Sequence, residues 1–462
     1  MDTMIVDPAA VLPPDSPAAA ALLEGRRRRL VVPRRSLGTW KAPPERDAMA
    51  TIVASNEGRI EELIPIRMGR MLASPFVFLR GSAAVMAGDL ALSPQTGFVV
   101  QLCGDAHLAN FGVFASPERR LVFDVNDFDE TAPGPWEWDV KRLAASFVVA
   151  SRGNGYTEAT CRDMARFVGT SYRRWIRTYA GMRALEVWYS DIPIESIIER
   201  VERARRRAVM GISIADARRR NHLTALGKLS IKAPDGSWLF RHRPPLLQRL
   251  PEDDPNRAAV PEVYRSYVRS LRADRRVLVE KHRLLDVAMK VVGVGSVGTR
   301  CYVALLKGPA GGPLILQVKE ARAFVLAPYV PGHDRRHEGK RVVSGQRVMQ
   351  AVSDIFLGWT QSPTSGVEYY VRQLHDMKYS IDITGLRPGG MELYAEVCAW
   401  ALARAHARSG NPALIAGYVG RGEVFDDALA SFGAAYADQT ERDHAALVKA
   451  VKAGRIPAET GV

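Results

Sequence analysis

The chain has 462 residues, 47% apolar and 25% charged, so it can bury a large core without disulfide or metal staples. These values exclude a mostly disordered chain, a collagen-like fibre and a coiled coil. Lysine plus arginine number 64 against 50 aspartates and glutamates, a formal charge of +14. That surplus suits anionic partners such as nucleotides, nucleic acid or acidic lipid, or else a solvated basic surface.

Residues 1–45 are rich in Pro, Ala and Arg and read as a flexible N-terminal segment. They have no basic stretch leading into an apolar core, so they do not read as a secretory signal. No run reaches the roughly eighteen apolar residues of a membrane span. Cys103, Cys161, Cys301 and Cys398 are too widely spaced for a zinc site and read as reduced thiols. A cytoplasmic location is the expectation.

Residues 59–71 have helical spacing, and SPFVFLRGSAAVMAGDLALSP reads as a short strand or turn followed by a helix. GFVVQLCGDAHLANFGVF reads as strand, loop, strand. RRLVFDVNDFDETAPGPW is a further strand that ends in acids and a Pro-rich turn, and VKRLAASFVVASR has helical spacing. From 155 to 285 the pattern is helical and basic, with a linker-like break at RHRPPLLQRLPEDDPNR. The basic stretch 197–220 could bind nucleic acid or form a solvated amphipathic helix. From 286 the period turns strand-like in VAMKVV, TRCYVALL and PLILQVKEA, joined by GVGSVG and KGPAGGP. A helix near 340–357 precedes another β-type run, VEYYVRQL, and the chain is helical from 391 onward.

Two constellations could carry chemistry. In the first, Asp105, His107 and Asn110 are followed by Asp124, Asp127 and Asp129. Acids and an Asn on strand ends and loops can hold Mg2+ through oxygen, while a separate Asp orients or deprotonates a hydroxyl. The plain alternative is a polar turn capped by Asp and Asn. In the second, Gly293, Gly295, Ser296 and Gly298 lie between two β-type runs. Strand, Gly loop, strand is the arrangement that folds over nucleotide phosphates, whereas a dinucleotide fold needs a helix after the glycines. Lys319, in the next apolar strand, would be costly to bury without a phosphate or carboxylate partner. Here the alternative is a Gly-rich hairpin with a snorkelling lysine.

These motifs carry a resemblance. GDAHLANFG resembles the HGDxHxxN loop of aminoglycoside-phosphotransferase-like kinases, and VNDFDE resembles their metal motif. PWEWDVKRLAAS is similar to the helix that follows it. The stretch from FVFLRGSAAVMA to GPWEWDVKRLAASFVVASR, with VKEA, RVVSGQRVMQAVSDIFLGW, YYVRQLHDMK and ALARAHARSG, also resembles bacterial domain-of-unknown-function family 2252, which is similar to the kinase-like superfamily. In ordinary kinases the Gly loop and strand Lys precede the catalytic loop. Here they follow Asp105 by about 190 residues.

The resemblance therefore implies an α+β, bilobal, protein-kinase-like fold that is circularly permuted and carries a large helical insertion. Residues 46–154 would hold the catalytic and metal loops of the large lobe, and 155–285 the insertion. Residues 286–378 would form the β-rich nucleotide lobe, and 379–462 the closing helices, with His406 on the helix that leads toward the catalytic loop. It implies Asp105 as the catalytic Asp with His107 ordering its loop. Asn110 and Asp127 would be metal ligands, with Asp124 and Asp129 in reserve. Gly293, Gly295, Ser296, Gly298 and Lys319 would meet the nucleotide, with Glu338, which lies before an apparent helix, as the partner of Lys319; Glu320 is adjacent in the strand and points to the opposite face. Arg80, Arg142, Arg372 and Lys378 would be anion contacts or structural ion pairs, and Asp139 a helix cap.

The expected activity is ATP- and Mg2+-dependent phosphoryl transfer to an unidentified acceptor, with nucleotidyl transfer using much the same parts. The alternatives are a metal-dependent phosphoesterase built on Asp105, His107, Asp124 and Asp127, and a non-catalytic kinase-like binding protein.

Overall fold

In the computed structural model, residues 12–203, 222–234, 236–330, 337–374 and 378–461 are described. Most of the basic stretch 197–220 lies outside them. The architecture of the described residues is mixed α+β: helices, three two-stranded β-ribbons and a six-stranded antiparallel sheet.

The first helix among the described residues is α1 (Pro17–Val31), capped by Ser16, whose hydroxyl accepts from Ala19 N at 3.2 Å. For residues 12–45 this corrects the expectation of a flexible segment, while 1–11 lie outside the described residues: composition suggested looseness, but the Ala-rich turns favour helix. A Cβ on Gly25 would lie 2.1 Å from the Leu414 carbonyl oxygen, so two backbones pack here with no side chain between them. Arg29 and Arg34 donate to the carbonyls of Tyr418 and Val419, each at 2.8 Å, where a helix leaves its last carbonyls unpaired.

Next come α2 (Ala48–Ala54), α3 (Ile64–Met71), α4 (Pro75–Gly81) and α5 (Ala83–Ala91). The 74–94 segment is thus two helices rather than strand and helix, because Ser74 caps the first, its Oγ accepting from Val77 N. Strand β1 (Val99–Leu102) pairs with β4 (Ala132–Pro135), and β2 (Phe111–Ala115) with β3 (Leu121–Val125). Helices α6 (Trp136–Gly153) and α7 (Glu158–Ala180) pack on each other through Trp136 stacked on Tyr172 at 5.4 Å, and α7 packs on a C-terminal helix through Trp175 stacked on Trp400 at 4.1 Å.

Helices α8 (Ala184–Tyr189), α9 (Ile194–Arg203) and α10 (His222–Leu229) are followed by the ribbon β5 (Ser230–Lys232) and β6 (Trp238–Phe240). The six-stranded sheet contains β7 (Leu247–Arg249), β8 (Arg283–Lys290), β9 (Cys301–Lys307), β10 (Pro313–Glu320), β11 (Gly358–Gln361) and β12 (Glu368–Gln373). Its order is β11-β12-β10-β9-β8-β7. The sheet therefore starts at 247, inside the region read as helical; the linker-like break supplies an edge strand. Helices α11 (Pro255–Ser270) and α12 (Ala273–Glu280) lie between β7 and β8, and α13 (Glu338–Met349) between β10 and β11.

Alternation in the strands is clean. Leu314 and Leu316 join Leu306 and Val371 in the cluster with Tyr267 and Leu271 of α11 and its C-cap. Ile315 joins Val303 and Leu305 in the opposite cluster, with Leu226 of α10. Lys319, four residues after Ile315, shares that second face. Helices α14 (Pro388–Ser409), α15 (Pro412–Val419) and α16 (Val424–Lys452) close the body. No helix among the described residues is long and apolar enough to cross a membrane, and all four cysteines are unpaired.

Arg404 of α14 reaches across the body to Asp124 of β3, donating to both carboxylate oxygens at 2.7 and 2.6 Å, with Arg404 itself fully buried. Arg404→Met leaves that carboxylate buried without its counter-charge, held only by the N–H groups of Val125 and Ala351. It is expected to cost about 3–5 kcal/mol in urea unfolding; a loss under about 1 kcal/mol would mean water reaches Asp124.

Candidate functional site

The loop after β1 carries Asp105, and its path is fixed by backbone. Gly104 has φ +81°, and a Cβ there would sit 2.1 Å from the Glu130 carbonyl oxygen. Asp139 of α6 accepts from the N–H groups of Cys103 and Gly104 at 2.7 and 2.9 Å. Behind it, His406 Nε2 stands 3.3 Å from Asp139 Oδ2, and Tyr172 OH meets His406 Nδ1 at 2.7 Å. Asp139 is thus a clamp on the loop rather than a helix cap.

Arg142, buried on the same helix, donates to Asp105 Oδ1 and to the Leu79 carbonyl at 3.0 Å. Its charge is committed to Asp105, so of the two readings the structural ion pair holds. Asn110 Nδ2 donates to the Asp105 carbonyl at 2.7 Å, and the Asn110 carbonyl accepts from Asn126 N at 2.8 Å, which ties this loop to the acidic one after β3.

His107 is 3% exposed, and its Nε2 lies 3.7 Å from Asp105 Oδ2. Burial lowers its pKa to about 4, so the ring is neutral at pH 7. Its Nδ1 is buried with no hydrogen-bond partner among the described residues.

The acidic loop meets the sheet at Lys319. The ammonium, 3% exposed, donates to Asp129 Oδ2 at 2.6 Å and stands 3.6 Å from Asp127 Oδ2. Asp129 also accepts from Tyr370 OH at 2.6 Å and from Ser296 Oγ at 3.3 Å. Strand register explains the meeting: Lys319 pairs with Tyr370 on one side and Cys301 on the other. Burial pushes the Asp127 carboxyl up, but Lys319, Arg372 and Lys378 outweigh it and hold that carboxyl well below the usual range. Asp127 Oδ1 is buried without a partner.

Two expected residues fall elsewhere. Glu338 does not pair with Lys319: it accepts from Arg341 Nε, since it opens α13 beside that arginine's own turn. Asp124 is taken by Arg404 and does not line the cavity described next.

Between sheet and body lies a cavity of about 1220 Å3. Asp105, His107, Asn110, Asp127, Asp129, Gly293, Gly295, Ser296, Lys319, Arg80, Arg372 and Lys378 line it. Gly298 instead backs onto Arg59, and its φ of +84° turns the chain into β9. The glycine segment is a strand–loop–strand connection, held from behind by Arg59 on the Val297 carbonyl at 2.5 Å and Arg70 on the Val292 carbonyl at 2.6 Å. Arg372 bridges Gln317 Oε1 and the Asn126 carbonyl at 3.1 and 3.0 Å. Burial, aided by Arg372, pushes the Lys378 ammonium down to about 7.

Sequence reading missed Asn126, Glu130, Arg59 and Arg70. Glu130 stood inside the quoted VNDFDE run, and the arginines recur with helical spacing, the one signal that could have put them on a shared face. Among the described residues no three His, Cys, Asp or Glu side chains converge as a metal cage. Asp127, with its unpartnered buried oxygen, and Asn110 instead fit a Mg2+ that keeps its remaining ligands from phosphate and water.

A family model described as "Uncharacterized protein conserved in bacteria (DUF2252)" matches residues 59–450. No curated protein and no solved structure matches the chain.

Burial raises the Glu130 carboxyl to about 7, although Val325 N donates to it at 2.7 Å. A carboxyl whose folded pKa lies above its unfolded value near 4.5 stabilises most below that value and loses this as pH rises through 7. Glu130→Gln should therefore gain melting temperature relative to wild type between pH 5 and pH 8. Parallel curves for the two proteins would show that Glu130 is ionised throughout.

Proposed function

We propose that this chain, which belongs to the bacterial DUF2252 family, is an ATP- and Mg2+-dependent phosphotransferase on a circularly permuted kinase-like scaffold. One observation carries the reading: a single cavity gathers a strand lysine, a glycine loop between two strands, and two loops bearing Asp105, Asn110, Asp127 and Asp129. In chain order these groups are far apart and reversed relative to kinases; in space they form one set.

Each part has work suited to its chemistry. The loop at Gly293 and Gly295 can approach phosphate oxygens by its backbone, since neither position carries a side chain. Lys319, now on Asp129 and Asp127, supplies the ammonium for the nucleotide phosphates. A bound Mg2+ would supply charge neutralisation for the nucleotide phosphates. Asn110 and Asp127 would hold it. Asp105, fixed by Arg142 through Oδ1, presents Oδ2 to the acceptor hydroxyl, and neutral His107 steadies that oxygen. The acceptor oxygen bonds to the terminal phosphorus, the bond from that phosphorus to the bridging oxygen breaks, ADP leaves with the electron pair, and the acceptor proton passes to Asp105. Such catalysis is positioning and charge neutralisation more than covalent chemistry.

The charge of the cavity supports a polyanionic substrate. Its described lining holds eleven lysines and arginines against six aspartates and glutamates. The phosphoesterase alternative gives Lys319 no task and needs Asp124, which Arg404 occupies.

Thermal shift with ATP and Mg2+ tests the reading, because a ligand bound only by the folded state must stabilise it, by about 2.7 kcal/mol at a hundred times Kd. Wild type is expected to shift, and Lys319→Ala and Asp127→Asn to shift less. No shift in wild type at millimolar ATP would end the reading.

A further inference from the structure

Arg80 is one of the cations that line this cavity, and among the described residues no carboxylate forms an ion pair with it. It is the penultimate residue of α4, and Gly81 after it is pinned twice. A Cβ there would meet Met71 at 2.8 Å, and the Gly81 carbonyl accepts from buried Arg67 at 2.8 Å. The backbone that carries Arg80 is therefore fixed. Its Nε is buried, and the side chain has no hydrogen-bond or ion-pair partner among the described residues. The neighbouring arginines differ: Arg59 and Arg70 hold the glycine loop by its carbonyls, Arg67 holds Gly81, and Arg142 holds Asp105.

The position of Arg80 can be triangulated. A Cβ on Gly295 would lie 3.5 Å from the Arg80 carbonyl oxygen, so the residue abuts the tip of the glycine loop. Its charge is felt by Asp105, Asp127 and His107. Arg80 thus lines the cavity with its backbone against the loop proposed to meet the nucleotide phosphates, and its charge acts on the carboxylate proposed to meet the acceptor. Burial alone lowers its pKa, against the pull of those two carboxylates. An unpaired, partly buried guanidinium costs stability unless a ligand uses it.

Resting on the phosphotransferase reading, we propose that Arg80 is a catalytic residue that contacts the terminal phosphoryl group of the nucleotide. Its planar fork suits two phosphate oxygens at once, and charge spreads onto those oxygens during transfer. ADP, which lacks that group, gains nothing from Arg80.

The test compares binding of ADP and of the β,γ-imido analogue of ATP, each with Mg2+, by calorimetry on wild type, Arg80→Met and Arg80→Lys. The unliganded melting temperature is measured alongside. In Arg80→Met the triphosphate affinity is expected to fall tenfold or more, as for loss of hydrogen bonds to a charged group, with ADP affinity unchanged. The unliganded protein is expected to melt no lower than wild type. Arg80→Lys keeps the charge without the fork, should recover part of the triphosphate affinity, and stands in if the Met variant does not fold. Equal weakening of both nucleotides, unchanged triphosphate affinity, or a lower unliganded melting temperature in both variants would overturn the assignment. Wild type that binds neither nucleotide would instead remove the phosphotransferase reading, and the role of Arg80 with it.

Discussion

A lysine ammonium cannot be buried in an apolar sheet without a carboxylate, and the architecture turns on how this one is met. Lys319 sits on the third strand of the six-stranded sheet at 3% exposure, and its acids come from the loop after β3, almost two hundred residues earlier. The contact with Asp129 and Asp127 fixes the sheet against the helical body. Tyr370 and Ser296 bind the same Asp129 carboxylate, which draws β12 and the glycine loop into the junction. The cavity is what remains between the two bodies around that pair.

On the body side the constraint runs through helices. Tyr172 of α7, His406 of α14 and Asp139 of α6 form a buried relay of hydrogen bonds that ends on the backbone of Cys103 and Gly104. Arg142, one turn beyond Asp139, then fixes the Asp105 carboxylate itself. Three helices from distant parts of the chain thus support one loop. What they leave unsatisfied is informative. Asp127 Oδ1, His107 Nδ1, Asn126 Nδ2 and Arg80 Nε are buried without partners, and all four residues line the cavity. Buried polar groups are nearly always paired, and these four exceptions share one cavity, although others lie elsewhere in the described residues.

Much of the site was legible because local chemistry is written locally. Strand alternation around Ile315 and Leu316 puts Lys319 on a defined face, and glycines followed by TRCYVALL indicate a strand–loop–strand turn, which β8 and β9 form. The acids after β3 and the Asp105 loop stood out by density. The misreadings came where partners are remote. Asp124 and Asp127 look alike in sequence, but Arg404 claims one from 280 residues away. Glu338 was assigned by its place before a helix, and the nearest arginine took it. The stretch around α1 looked loose because the glycine contacts that dock it lie near residue 417.

The sequence by itself determined the α+β class, the strand and helix periods, the free thiols and the candidate residue types, since these follow from spacing within a few residues. Only the tertiary structure decided that the glycine loop, Lys319 and the two acidic loops share one cavity. It alone decided that β7 is drawn from a break within helices, and that Arg80 rather than Arg142 is left unpaired. Those outcomes depend on which distant charge arrives first at each buried carboxylate or guanidinium. Coulomb attraction and desolvation settle that competition in space, and no local pattern of residues records it.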